Sequence, residues 1–460
     1  MLIAGLCVAG CREQNDNFCT SAPHTNCMNL FDAPIEHCMN DQQCAPNICD
    51  LTGSKTCVQC TISNPMACTA TTPVCSTANT CRGCTSHGEC SSNVCLPDGT
   101  CALEASVAYV APAPAGGGST CNKLTPCGTL QVAIQTDRPY VKVAVGLVKD
   151  VQVTTIDSKT VTILADVGAK LDRDGDGPIL MIQSSGAAGA NVQIFDLEIT
   201  GATGAPGGDG IRLTASGGTP SLSLTRVTID KNQGIGVTTA GGSLAISQST
   251  FSGNDGGGIV ATNSSLTVSR STFSGNQGGG ISGMNGTFVV VGNVFFNNGG
   301  NTSLIGGISI GTSTNAANRL EFNSFALNTT ADGVGPAVQC LAGTFNARNN
   351  ILNDNRTPTA QANQFAGTCT HTFSIIRPGT VPTGNSGSDP LFADPAKGNL
   401  HILTGSPAQH AADPVSDLTG IASHDIDGVA RVSPADIGAY EFNSSAASSR
   451  ADDGADGARR

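Results

Sequence analysis

Between residues 140 and 375, short runs alternate apolar with polar residues, and each ends in glycine, asparagine or serine. TVTILA, NVQIFDLEIT, SLSLTRVTI, SLAISQSTF, SLTVSRSTF and TFVVVGNVFF are the clearest. A two-residue period marks strands with one buried face. The runs also recur in register, because STFSGNDGGGI at Ser249 returns as STFSGNQGGGI at Ser271, a step of 22 residues. At that step Ile229, Phe251, Phe273 and Phe295 form one column, and Leu222, Leu244, Leu266 and Phe288 a second. Asn232, Asn254, Asn276 and Asn298 form a third. Val237, Ile259 and Ile281 form a fourth, which Ile308 continues after an insertion. Looser copies add Ile199 before these, and Phe325/Asn328 and Leu352/Asn355 after them.

A unit of this length cannot bury its apolar face alone, so it must stack on its neighbours. Stacked strands lie roughly 4.8 Å apart, which sets like residue on like residue. The apolar columns are then interior. Asparagine is expected at a bend, in left-handed backbone and bonded to the asparagine above, with glycines supplying positive φ. The pattern predicts an all-β fold: a right-handed, single-stranded parallel β-helix over residues 106–385. A leucine-rich repeat has a similar period but needs a helix-compatible back, and GNDGGG is not one.

Upstream, residues 38–103 hold three units of four cysteines. They are Cys38, Cys44, Cys49 and Cys57; Cys60, Cys68, Cys75 and Cys81; and Cys84, Cys90, Cys95 and Cys101. Segments of about 20 residues need covalent staples. Cys57-x2-Cys60 and Cys81-x2-Cys84 have zinc-ligand spacing but straddle unit boundaries, so disulfides are expected. AYVAPAPAGGG, from Ala108 to Gly118, is a Pro/Gly-rich boundary, and TLQVAI after it predicts a short helix. Residues 443–460 are small and polar, the composition of a disordered tail.

With 57 Gly, no Trp and 13% charged residues, the chain lacks the makings of long helices. A net charge of −12 argues against a nucleic-acid partner. The start, MLIAGLCVAGC, resembles a bacterial lipobox. That resemblance implies a signal peptide over 1–10, lipid on Cys11 and a tether over 11–37. It also implies an outer-membrane, cell-surface or secreted protein of a Gram-negative bacterium, touching membrane only through its anchor. No Lys or Arg precedes Cys11, so a start further upstream is expected. Setting aside Cys7 and Cys11 leaves 18 of the 20 cysteines, and these group evenly. Cys19 goes with Cys27, twelve lie in the modules, Cys121 goes with Cys127, and Cys340 with Cys369.

Residues 106–442 resemble the right-handed parallel β-helix proteins of the pectin-lyase-like superfamily. The resemblance rests on the entry YVAPAPAGGG…PCGTLQVAI, the coil repeats, and the closing motifs SDPLFADPAKGNLHILTGSPAQHAAD and HDIDGVARVSPADIGAYEF. It implies that 386–442 close the helix, with Arg431 pairing Asp436 or Glu441. The superfamily holds lyases, hydrolases and adhesins alike, so fold alone does not give function.

Candidate chemistry lies where the repeats differ. Strand alternation puts Asp196 and Glu198 on one outer face, with Arg226, Gln248 and Arg270 continuing from Asp196 and a Thr228/Thr250/Thr272 ladder from Glu198. Either this stripe is a track for an extended glycan, or it is a solvated face with an Asp196–Arg226 pair. No His lies between His87 and His371, which removes the commonest general base. Asp172, Asp174 and Asp176 in DRDGDG have the spacing of a Ca²⁺ loop, with Gln183 where a bidentate Glu belongs. An acidic turn is the competing reading, and no other cofactor is implied. The expected function is display of a monomeric binding or adhesion protein, with extracellular polysaccharide as ligand. The alternative is a polysaccharide lyase or related enzyme.

Overall fold

In the cysteine-rich unit each module closes on itself. Cys38 bonds Cys49 and Cys44 bonds Cys57; Cys60 bonds Cys75 and Cys68 bonds Cys81; Cys84 bonds Cys95 and Cys90 bonds Cys101. The order is first-to-third and second-to-fourth each time, which uses up every sulfur a zinc site would need. Pairs of two-residue strands, Ile48–Cys49 with Cys57–Val58 and Val74–Cys75 with Cys81–Arg82, run antiparallel across the modules. The structure, a computed structural model, describes residues 37–443 except 65–66, 205–206, 312–316, 343–344 and 360–362. The expected signal peptide, Cys11, the Cys19–Cys27 pair and the tail from 444 lie outside the described residues.

The chain divides after Ala102, and the second unit is a parallel β-solenoid. Its first strand, Val107–Val110, pairs in parallel with Tyr140–Val143. Between them the short helix Leu130–Ile134, capped by the Thr129 hydroxyl, buries Leu130, Ala133 and Ile134. Buried Asp150 accepts the Leu130 and Gln131 N–H groups at 2.8 and 3.2 Å, which anchors that helix. Each later coil then lays one strand on each of three sheets. Sheet I holds ten strands, from Gly146–Asp150 to Ile375–Arg377. Sheet II runs from Thr154–Asp157 to Phe365–Gly367. Sheet III runs from Val107–Val110 to Thr370–Thr372. Sheets II and III merge where Ile235–Ser247 and Gly257–Ser269 continue through the corner.

The columns read from sequence are the pairing register: Ile229 beside Phe251, Phe251 beside Phe273, and Phe273 beside Phe295. The rings of Phe251, Phe273, Phe295 and Phe325 stack at centroid spacings of 4.9, 4.9 and 4.6 Å. From Asn232 to Asn355 each buried amide donates Nδ2 to the next asparagine's Oδ1 at 2.7–2.9 Å. Gln364 terminates the ladder. The left-handed corner, however, is not at the asparagine. It falls one residue earlier, on Lys231, Gly253, Gly275, Asn297, Leu327 and Asp354. The corner residue turns outward, which lets the next side chain point in to the ladder. Nor do all four glycines of GNDGGG serve positive φ. Gly253 and Gly257 do, at 61° and 115°. Gly258 provides room instead, since a Cβ there would lie 2.5 Å from Gly280 O and 2.8 Å from the Phe273 ring.

A second ladder went unread in the sequence. Ser249, Ser271, Asn293, Asn323, Asn350 and Ser374 each accept the backbone N–H of the corresponding residue one coil earlier. Its signal was present as Ser249/Ser271/Asn293, at the same 22-residue step.

Residues 386–442 do more than close the end. They double back over the outer surface of sheet I and bury a second core on it. Val294, Phe322, Ala326, Ile351 and Ile375 of the solenoid pack there against Phe392, Leu400, Ile402, Ile437 and Ala439. Arg348 pairs with Asp413 at 3.2 Å, and Ala439 N–H donates to Ser324 Oγ at 3.0 Å. Arg431 pairs with Glu441 at 2.5 Å and lies 4.5 Å over the Phe322 ring.

Candidate functional site

The closing segment leaves sheet I open only upstream of Val294. Two outward columns run along that stretch. One is Leu147, Lys170, Glu198, Thr228, Thr250 and Thr272; the other is Lys149, Asp172, Thr200, Asp230, Ser252 and Ser274. The hydroxyl ladder therefore stands where strand alternation put it. It ends at Val294, which is 2% exposed beneath the closing segment.

Asp196, Arg226, Gln248 and Arg270 do not share the Glu198 strand surface as expected. They occupy the corner between sheets III and I, all in left-handed backbone with φ of 50–61°. Positive φ at the same step in every coil makes the corner a column of its own, continued by Gly292, Phe322 and Asn349. Two-residue alternation cannot be carried across such a corner, which is why the sequence reading misplaced them. The register did place Asp196 beside Arg226. The guanidinium grips the carboxylate through Nε and an Nη, at 2.6 and 2.8 Å.

Most charge on this surface is matched. Lys170 holds Glu198 at 2.7 Å, Lys149 holds Asp174 at 2.7 Å and approaches Asp172 at 3.8 Å, and Lys231 holds Asp230 at 2.5 Å. Hydrogen bonds to these carboxylates raise the pKa of Arg226, Lys149 and Lys231, so all three stay charged. Lys149, Lys170, Asp230 and Lys231 were not singled out in the sequence. Their partners lie 23–28 residues away or next door, and only the exact register shows it. Gln248 is exposed and forms no ion pair.

Arg270 differs from its neighbours. Its Nε is buried with no hydrogen-bond partner, and no carboxylate pairs with it among the described residues. Its Nη2 lies 3.1 Å from where a Cβ on Gly428 would stand, so the guanidinium abuts the Asp425–Gly428 turn of the closing segment. Beside that turn, His401 Nε2 meets Asp427 Oδ2 at 2.7 Å, and the Tyr440 ring packs against the imidazole at 3.9 Å, tilted by 36°.

The three aspartates of DRDGDG do not converge. Asp174 goes to Lys149, Asp176 accepts from Thr203 at 3.3 Å, and Asp172 Oδ1 accepts the Arg173 N–H at 2.6 Å. Among the described residues, only the disulfide-bonded cysteines of the modules gather three candidate ligand atoms closely. Lys149 of the preceding coil bonded to Asp174, and oxygens that stay apart, do not suit Ca²⁺, which wants six to eight oxygens. Cys121 bonds Cys127 next to the helix, and Cys340 bonds Cys369 across successive late coils.

Residues 209–374 match the family model described as the right handed beta helix region. No curated protein matches the chain. Among solved structures, pectate lyase Pel9A is similar at 13% identity with a TM-score of 0.47, covering 73% of this chain and 96% of that one. The family match falls on the coils whose columns and ladders are the most regular, and the described coils between Val107 and Arg377 form a right-handed parallel β-helix.

Proposed function

We propose that the open stretch of sheet I binds extended polysaccharide without cleaving it. One observation carries this reading. Sheet I presents a straight hydroxyl ladder, Thr228, Thr250 and Thr272, flanked by carboxylates that are tied to lysine or arginine. Hydroxyls and paired charges repeated at a fixed interval suit a polymer whose own hydroxyls repeat. A carboxylate already neutralised by a bound cation is a poor base or nucleophile. The disulfide modules favour an oxidising compartment, which supports presentation outside the cytoplasm, with a lipid anchor at Cys11 and a monomer as the acting form.

The test is affinity electrophoresis of the full chain through gels containing neutral or uronate polymers. Retardation by at least one polymer, with no unsaturated product absorbing in the ultraviolet, is the expected result. Release of unsaturated product that disappears in Arg226→Ala or Arg270→Ala would instead establish the lyase reading.

A further inference from the structure

The binding surface is bounded on one side by the protein itself. The strand Val294–Phe296 is the first of sheet I whose outward residues lie under the closing segment. Val294 belongs to the second core, and a Cβ on Gly398 would touch the Phe296 ring at 3.0 Å. A chain laid along Thr228, Thr250 and Thr272 cannot continue past this wall. Arg270 stands at the wall, in the coil just before it, against the turn at Gly428. It is also the cation of this surface without an acid. Lys149, Lys170, Arg226 and Lys231 each have a carboxylate, whereas the Arg270 Nε is buried and unbonded. The Nε is out of a ligand's reach, but the two Nη groups are neither buried nor bonded to an acceptor among the described residues, and a guanidinium suits a carboxylate bound by two parallel hydrogen bonds.

We infer that the open stretch is blind-ended and receives the end of a glycan chain, with the terminal sugar's carboxylate on Arg270. This rests on the proposed carbohydrate role but is separable from it. A surface that met chains side-on would load more protein as chains lengthen, whereas a blind track takes one end whatever the length.

The experiment titrates the full chain with oligogalacturonates of graded length, the parent polymer, and a neutral β-glucan of matched length. At most one protein per chain at every length is expected, with the neutral glucan at least tenfold weaker. Arg270→Gln should lose that tenfold preference. Arg270→Lys, which keeps the charge without the fork, should restore part of it, and thermal melts of both variants confirm folding. Protein bound in proportion to length overturns end recognition and leaves the carbohydrate role standing. Equal binding of neutral and acidic chains, or an Arg270→Gln protein that keeps the preference, overturns the role of Arg270. Binding to no polymer overturns both readings together.

Discussion

The side chain of Asn276 takes part in four hydrogen bonds. Its Nδ2 donates to Phe251 O and to Asn298 Oδ1, both at 2.9 Å, and its oxygen accepts from Asn254 N and Nδ2 at 3.1 and 2.9 Å. All of these groups are buried, so Asn276→Ala strands donors and acceptors on both adjacent coils. An unsatisfied buried group costs about 1–3 kcal/mol, and a loss of at least about 3 kcal/mol is expected in the denaturant midpoint. Gln248→Ala, at an exposed corner, should stay within about 0.5 kcal/mol. The asparagine column was legible because identical residues recurred at one interval. Its corner was not, since periodicity identifies a column but not the φ of any member. The same limit moved Asp196 and Arg226 from strand to corner while leaving their pairing intact.

At the scale of elements, the coils were readable, and so was the existence of a closing segment, but not the surface on which it packs. A coil's partners sit one repeat away, whereas Ala439 reaches Ser324 across 115 residues and Arg348 reaches Asp413 across 65. Nothing periodic announces such contacts. Even so, the closing motif offered Asp436 or Glu441 as the partner of Arg431, and the pair formed is with Glu441. The Arg431 side chain is 0% exposed, and its Nη2 also donates to Gly438 O at 2.9 Å. Burial outweighs pairing for both partners, pushing Arg431 down and Glu441 up to about 7. The pair is therefore costly to bury and costlier to break. Arg431→Ala leaves the Glu441 carboxyl and the Gly438 carbonyl without their partner, and about 3–5 kcal/mol of destabilisation is expected. The readout is hydrogen exchange. Protection should fall across 386–442 and on the strands Val294–Phe296 and Ser324–Ala326 beneath it, while amides of the upstream coils keep theirs. Uniform loss along the solenoid would show that the closing segment is not a separate cooperative element.

In the whole solenoid each coil leans mainly on its two neighbours, so stability is close to a sum of coil and interface terms, and opening starts at the weaker end. The helix and Asp150 secure the entry. At the exit, the Thr370–Thr372 strand carries His371, 3% exposed, with neither ring nitrogen hydrogen-bonded. The ring packs on Phe365 at 4.3 Å. Burial lowers its pKa from 6.5 to about 4. The unfolded chain therefore binds a proton on this residue between those values and the folded chain does not. Stability from the neutral ring is fully present above about pH 6.5, is lost as pH falls toward 4, and changes no further below. The gap corresponds to on the order of 3 kcal/mol. Because Cys340–Cys369 and the closing segment also hold these coils, the first effect of acid should be local, with exchange rising over 365–377 before the remaining coils respond. His371→Leu keeps an apolar occupant and removes the titration. Denaturant unfolding at pH 7 and pH 4.5 should then show the parent losing about 2 kcal/mol more than the variant. Equal losses in the two proteins would mean that the acid sensitivity belongs to the carboxylates and not to the last coil.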